Sequence, residues 1–293
     1  MTRVIIEAHA HIIDGPEPVW AWGPDFPAER LLATMDEDHD VMGHRAHVDK
    51  AIVMSLPGQT SFGQSLIEAH EYTVASVKKY PDRLYLNPFI NPWVHVPDEL
   101  DILQTWKDEA NLCMLKLHPT MHNYLLPLYS PYPGDQSRRM VYPVFEWART
   151  LGVPVLIHMG EPPYSLPSQV VPVAEAFPDV PLIIAHAGAA SESCFTGDAV
   201  HVARMHDNVY LETSWVQPLE LQQAYYAVGA SKLIWGSDFA PLSLGPQLRT
   251  VVNLHLPPPL GVGLGEDDVY KILGGNIAEL CGIPVGAPAA TRA

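Results

Sequence analysis

Cysteine, positive charge and long apolar runs are all scarce in this chain, and each scarcity removes a class of protein. Only three cysteines, Cys113, Cys194 and Cys281, occur in 293 residues. Their odd number and wide spacing make neither a disulfide framework nor a zinc-ribbon pattern. Cys113, inside an apolar strand-like run, reads as a buried thiol. Lys and Arg number 17 against 33 Asp and Glu, a formal net charge of −16 with His neutral. That much negative charge repels phosphate backbones and anionic lipid, so no nucleic-acid partner and no membrane partner is expected. No apolar stretch approaches the roughly 18 residues of a membrane span, and no basic region with an apolar core opens the chain, so a cytoplasmic protein is expected. Charged residues make up only 17% and hydrophobic residues 47%, which suits a large core rather than disorder.

What the chain has in quantity is buried strand. Continuous Val/Ile/Leu runs, the mark of strands covered on both faces, fall near 4–9, 50–55, 84–90, 112–117, 153–158, 181–186, 208–213 and 232–237. Helical patterns separate them near 28–42, 60–80, 97–110, 138–151, 167–177, 190–206, 217–229 and 244–254, with a last one near 266–281. Eight such alternations predict an α/β fold, a (β/α)8 TIM barrel in a single domain over 1–283, with an open doubly wound sheet as the alternative. Residues 284–293, rich in Ala and Pro, read as a flexible tail. Two long loops follow strand ends, near 12–27 with Trp20 and Trp22 and near 119–137 with Tyr124, Tyr129 and Tyr132. Loops there would rise over the mouth of a barrel.

Four of the apolar runs end in a side chain able to hold a metal: Glu7-Ala8-His9-Ala10-His11, Leu156-Ile157-His158, Ile184-Ala185-His186 and Trp235-Gly236-Ser237-Asp238. His9 and His11, two apart on a strand, share a face, with Ala8 and Ala10 expected outward. Each residue alone has a plain explanation, a satisfied core histidine or, for Asp238, a helix N-cap. Five together at strand ends 1, 5, 6 and 8 are better explained by one shared divalent cation. Three histidines and a carboxylate form a nitrogen-rich set; Zn2+ is the first expectation, with Mn2+ or another divalent ion as the alternative.

These residues carry a resemblance. Together with Lys116-Leu117-His118-Pro119, Ala185-His186-Ala187-Gly188 and the stretch Ile272-Leu273-Gly274-Gly275-Asn276-Ile277-Ala278-Glu279-Leu280, they make the chain similar to the amidohydrolase superfamily. The likeness is to its amidohydrolase-related branch, which includes aminocarboxymuconate-semialdehyde decarboxylase-like enzymes. It implies metal ligation by His9, His11, His158 and Asp238, with His186 beside the reacting groups. Glu7 stands where the family more often has Asp and is a further metal candidate, with a supporting role preferred. A carboxylated Lys116 bridging a second metal is not expected; Lys116 and His118 read instead as substrate contacts, as do Trp20, Trp22, Trp215 and Tyr124.

The resemblance implies hydrolysis of a small lactone, amide or ester, with Asp238 as general base and His186 steadying developing charge. Its alternative is non-oxidative decarboxylation of a small unsaturated or aromatic carboxylic acid, with Asp238 or His186 protonating carbon. The Lys116–His118 pair tips the expectation toward hydrolysis. A non-catalytic metal-binding barrel is the third reading. The expected partner is a small-molecule substrate, and the branch admits a homodimer.

Overall fold

A computed structural model of the protein describes residues 3–15, 26–55, 65–94, 98–129, 136–190 and 194–285. Eight parallel strands and one short hairpin lie among them. The strands are β1 (Ile6–Ile12), β4 (Lys50–Ser55), β5 (Leu84–Leu86), β6 (Leu115–Leu117), β7 (Val155–Ile157), β8 (Leu182–Ile184), β9 (Val209–Glu212) and β10 (Leu233–Ile234). The hairpin pairs β2 (His39–Val41) with β3 (His44–Ala46). Two parallel sheets, β1-β4-β5 and β10-β9-β8-β7-β6, carry the order. Single parallel bridges join their edges at Leu86↔Leu112, Phe89↔Lys116 and Ala10↔Phe239. The fold is the α/β barrel that the alternation predicted.

Strand parity decides what fills the barrel. Ile6, Ile52, Met54, Tyr85, Met114, Leu156, Ile183 and Ile234 form one buried cluster inside it. Their neighbours Val53, Leu115, Leu117, Val155, Ile157, Leu182 and Leu233 belong to the larger cluster under the helices. Ile277, Ala278 and Ile283 join the inner cluster and close its lower end. The closing segment is held tightly: a Cβ at Gly274 would stand 2.3 Å from Val4 O. Asn276 Nδ2 donates to Ala230 O and Leu233 O at 2.8 and 2.7 Å, and Trp235 N–H donates to Ile272 O at 2.9 Å. That segment is the stretch 272–280 on which part of the resemblance rests. Cys113 is buried in the same inner cluster.

Three expectations need correction. The helix over 28–42 ends at Met35, and the hairpin follows it. Asp40 Oδ1 accepts from Gly43 N at 2.7 Å, and Met42 and Gly43 take positive φ of 55° and 83°, so a tight turn replaces helix. A short helix, Pro119–His122, interrupts the loop expected over 119–137. Finally, the pairing of β1 with β4 shifts register between Glu7 and Ala10. Ala8 therefore falls in the inner cluster and Ala10 in the outer one. A bulge of this kind resets alternation. Ala8 is not outward. Among the described residues no helix is long and apolar enough to cross a membrane.

Candidate metal centre and active site

Above the apolar filling, the same strands end in polar side chains that converge. His9, His11, Lys116, His118, His158, His186, Glu212 and Asp238 are all at most 8% exposed. Burial on this scale is costly for ionisable groups unless they serve one another or a bound ion. The backbone supports the crowding at a cost. Of the seven non-glycine residues with positive φ among those described, four lie here: His186 (59°), Ala187 (41°), Trp215 (64°) and Asp238 (57°). Such conformations cost on the order of 1–3 kcal/mol each and gather where geometry serves function. Gly236 forms part of the wall, since a Cβ there would stand 2.6 Å from Glu212 Oε1 and 2.9 Å from His9 Cβ.

Asp238 is central. Its Oδ1 lies 3.1 Å from His11 Nε2 and 3.4 Å from His9 Nε2, and its Oδ2 accepts from Trp215 Nε1 at 2.7 Å. Burial opposes its ionisation, but the surrounding imidazoles, His9, His11 and His186, more than offset this and hold the carboxyl well below its usual range. Burial, and next the Lys116 ammonium, push the His9 imidazole well below its ordinary value. Burial foremost does the same to His186 and to His118. Lys116 Nζ stands 3.2 Å from His9 Nε2; burial lowers it to about 8, against the pull of Asp238 and Glu212.

The donor set fits a divalent cation. One atom each from His9, His186 and Asp238 lie within 4.8 Å of one another. Donors bound to one ion at about 2.0–2.2 Å stand roughly 3–4 Å apart. His9 commits Nδ1 to Glu212 Oε2 at 3.0 Å, which leaves Nε2 as an acceptor toward the Asp238 carboxylate. Acceptor facing acceptor calls for a positive charge, which the Lys116 ammonium supplies at 3.2 Å from His9 Nε2 and a divalent cation would supply when bound. His158 stands beside this group rather than within it. Its Nδ1 lies 3.1 Å from His186 Nε2, its Nε2 lies 3.2 Å from Glu161 Oε2, and its ring stacks on His118 at 3.8 Å.

Glu7 sits to one side. Its Oε1 accepts from His9 N and Ser237 N, both at 2.8 Å, and burial foremost, with Glu212 adding, pushes its carboxyl up to about 8. The structure ties it to the backbone where β1 meets the end of β10. His118 Nδ1 accepts from Met121 N at 3.2 Å, which caps the helix Pro119–His122 and leaves its other nitrogen free to donate. Trp215 is turned onto Asp238. Tyr124 is buried in the outer core, among the side chains under the helices. Trp20 and Trp22 lie outside the described residues.

Glu212 was missed by sequence reasoning. It ends the run Val209-Tyr210-Leu211-Glu212, the same signal that singled out the other four strands. It is fully buried, and its two oxygens gather His9, the His186 backbone and Ser214. Glu161 was missed as well. It is three residues beyond His158, close enough along the chain to have been considered with it.

A parallel α/β barrel whose strand ends gather histidines and a carboxylate defines the metal-dependent barrel enzymes. The chain belongs to the amidohydrolase family, whose sequence pattern it matches over residues 6–283. No curated relative matches the sequence. Solved structures share the fold at low identity. One is 5-carboxyvanillate decarboxylase from Sphingomonas paucimobilis, at 16% identity over 97% of this chain and 100% of that one, with TM-score 0.62. Another is dihydroxybenzoic acid decarboxylase from Polaromonas, with bound manganese and the inhibitor 2-nitroresorcinol, at 15% identity over 96% and 97%, with TM-score 0.64. A third is a putative 2-pyrone-4,6-dicarboxylic acid hydrolase from Pseudomonas putida, at 16% identity over 96% and 98%, with TM-score 0.63.

Proposed function

We propose that the protein is a metal-dependent hydrolase of a small lactone, amide or ester. The observation that carries the reading is the Asp238 carboxylate, anionic in its ring of imidazoles and fixed by Trp215 with one oxygen turned toward His9 and His11. His9, His11, His158 and Asp238 would hold one divalent cation, Zn2+ first and Mn2+ as the alternative, with His186 close by. A cation held there supplies Lewis-acid polarisation of a carbonyl and acidifies water.

The chain's own groups account for the proton traffic. Asp238 accepts a proton from the attacking water and returns it to the leaving group. His186 gives Nδ1 to Ser214 Oγ at 2.8 Å, and that hydroxyl in turn donates to Glu212 Oε2 at 2.8 Å. His186 Nε2 is thereby an acceptor, met by His158 Nδ1 at 3.1 Å, so His186 links the Glu212 network to His158 rather than donating to a developing oxyanion. Lys116 Nζ, buried 3.2 Å from His9 Nε2, offers a donor to a carboxylate on the substrate. The Nε2–H of His118 adds a neutral donor.

Decarboxylation is the second reading, because solved relatives of the same fold bear that name and one holds manganese. The buried Lys116–His118 pair favours hydrolysis. The test is a panel of lactones, amides and carboxylated aromatics offered to the metal-loaded protein. Acid release without carbon dioxide supports hydrolysis. Carbon dioxide release from a carboxylated aromatic, with no lactone or amide turned over, reverses the order.

A further inference from the structure

We infer that Glu212 is the positioning residue of the site, setting through hydrogen bonds which nitrogen His9 offers to the cation and where His186 stands. The inference rests on the proposed cation site. Four donors converge on this one buried carboxylate. Oε2 takes His9 Nδ1 at 3.0 Å, His186 N at 3.0 Å and Ser214 Oγ at 2.8 Å, while Oε1 takes Ser214 N at 2.6 Å. Glu212 is 0% exposed, so these bonds compete with no solvent.

The consequences follow from what each group is able to donate. A carboxylate only accepts. His9 must therefore carry its proton on Nδ1, which leaves Nε2 unprotonated, 3.2 Å from Lys116 Nζ and 3.4 Å from Asp238 Oδ1. The same oxygen fixes the start of the left-handed turn at His186 by taking its backbone N–H. It also takes the Ser214 hydroxyl proton, so that the hydroxyl oxygen accepts His186 Nδ1. One side chain thus orients two imidazoles from different strands. His11 shows the contrast, since its Nδ1 is buried with no hydrogen-bond partner among the described residues. Outer partners that fix a ligating imidazole commonly account for 10–100-fold in metal affinity.

The test is Mn2+ titration of chelator-treated wild type, Glu212→Gln and Glu212→Asp, with thermal melts as the check on folding. The glutamine keeps the shape but presents an N–H where a donor already sits; the aspartate keeps the charge but shortens the reach. The expected result is Mn2+ affinity about 10–100-fold weaker in Glu212→Gln, with Glu212→Asp between it and wild type. A folded Glu212→Gln that binds Mn2+ within about twofold of wild type overturns the inference and leaves the proposed function standing. Absence of Mn2+ and Zn2+ binding in wild type overturns both. If Glu212→Gln does not fold, imidazole 15N spectra of the metal-free wild type decide. His9 protonated on Nδ1 supports the inference, and His9 protonated on Nε2 overturns it.

Discussion

The upper and lower halves of the barrel interior are built on the same strands, yet they are opposite in chemistry. Met114 lies below Lys116, Leu156 below His158 and Tyr210 below Glu212. Moving up one strand by one inward step exchanges an apolar side chain for an ionisable one. The lower half therefore supplies burial and the upper half supplies groups that burial penalises. Four of the seven left-handed non-glycine residues among those described, His186, Ala187, Trp215 and Asp238, lie at the upper end, whereas Asn111 precedes β6 at the lower one. Stability and chemistry are separated along the barrel axis, and substitutions should separate with them.

The largest expected effect is at the upper end. Asp238→Asn keeps the shape but removes the base, and turnover should fall by about 10³-fold or more, roughly 4 kcal/mol of barrier. Its melting temperature should stay close to that of the metal-free wild type, as kinetics and thermal melts run side by side would show. Leu156→Ala, one inward step below His158, should do the reverse. It removes a fully interior side chain and should cost about 2–5 kcal/mol in denaturant unfolding. Its cation stoichiometry should remain that of wild type. Loss of metal binding with retained stability in Leu156→Ala would erase the division between the halves.

A third effect comes from a histidine outside the site. His70 gives Nδ1 to Leu66 O and accepts from Phe89 N with Nε2, and burial lowers it from 6.5 to about 4. The folded chain keeps this imidazole neutral while the unfolded chain protonates it between those values. Stability should accordingly be intact above pH 6.5 and fall as pH drops toward 4, by about 3 kcal/mol from this group. Urea unfolding across that range should show a shallower acid loss in His70→Gln than in wild type. An equal slope in the two proteins would remove His70 from the account.

The smallest effect sharpens the comparison. Trp215→Phe keeps a ring but deletes the indole N–H that fixes Asp238 Oδ2. It should lower kcat by about 10-fold, the worth of one hydrogen bond to a charged group, with KM little changed. A rise in KM at constant kcat would return Trp215 to the substrate-contact role first expected of it.

Most of the barrel was readable because its strands are short, apolar and bounded by Pro and Gly, as at Tyr80-Pro81 and Gly152-Val153-Pro154. The strand-end histidines and Asp238 were readable because polar groups are conspicuous after continuous Val/Ile/Leu. What escaped was local. The hairpin after Met35 depends on a side-chain bond from Asp40 and two positive φ values, which apolar periodicity does not report. The bulge between Glu7 and Ala10 inverts a parity that sequence spacing takes for granted. Trp215 was read as a pocket wall because its neighbour in space, Asp238, is 23 residues away. Glu212 carried the same strand-end signal as the ligands; its role became visible only when His9, 203 residues distant, was placed against it.

The claim on which all of this depends is that one divalent cation binds among His9, His11, His158 and Asp238, with His186 alongside. Calorimetric titration of the chelator-treated protein with Zn2+ and Mn2+, alongside His9→Ala, tests it directly. The account predicts one ion per chain in wild type and loss of that site in His9→Ala. Stoichiometric binding that survives unchanged in His9→Ala, or no binding in wild type, would contradict it.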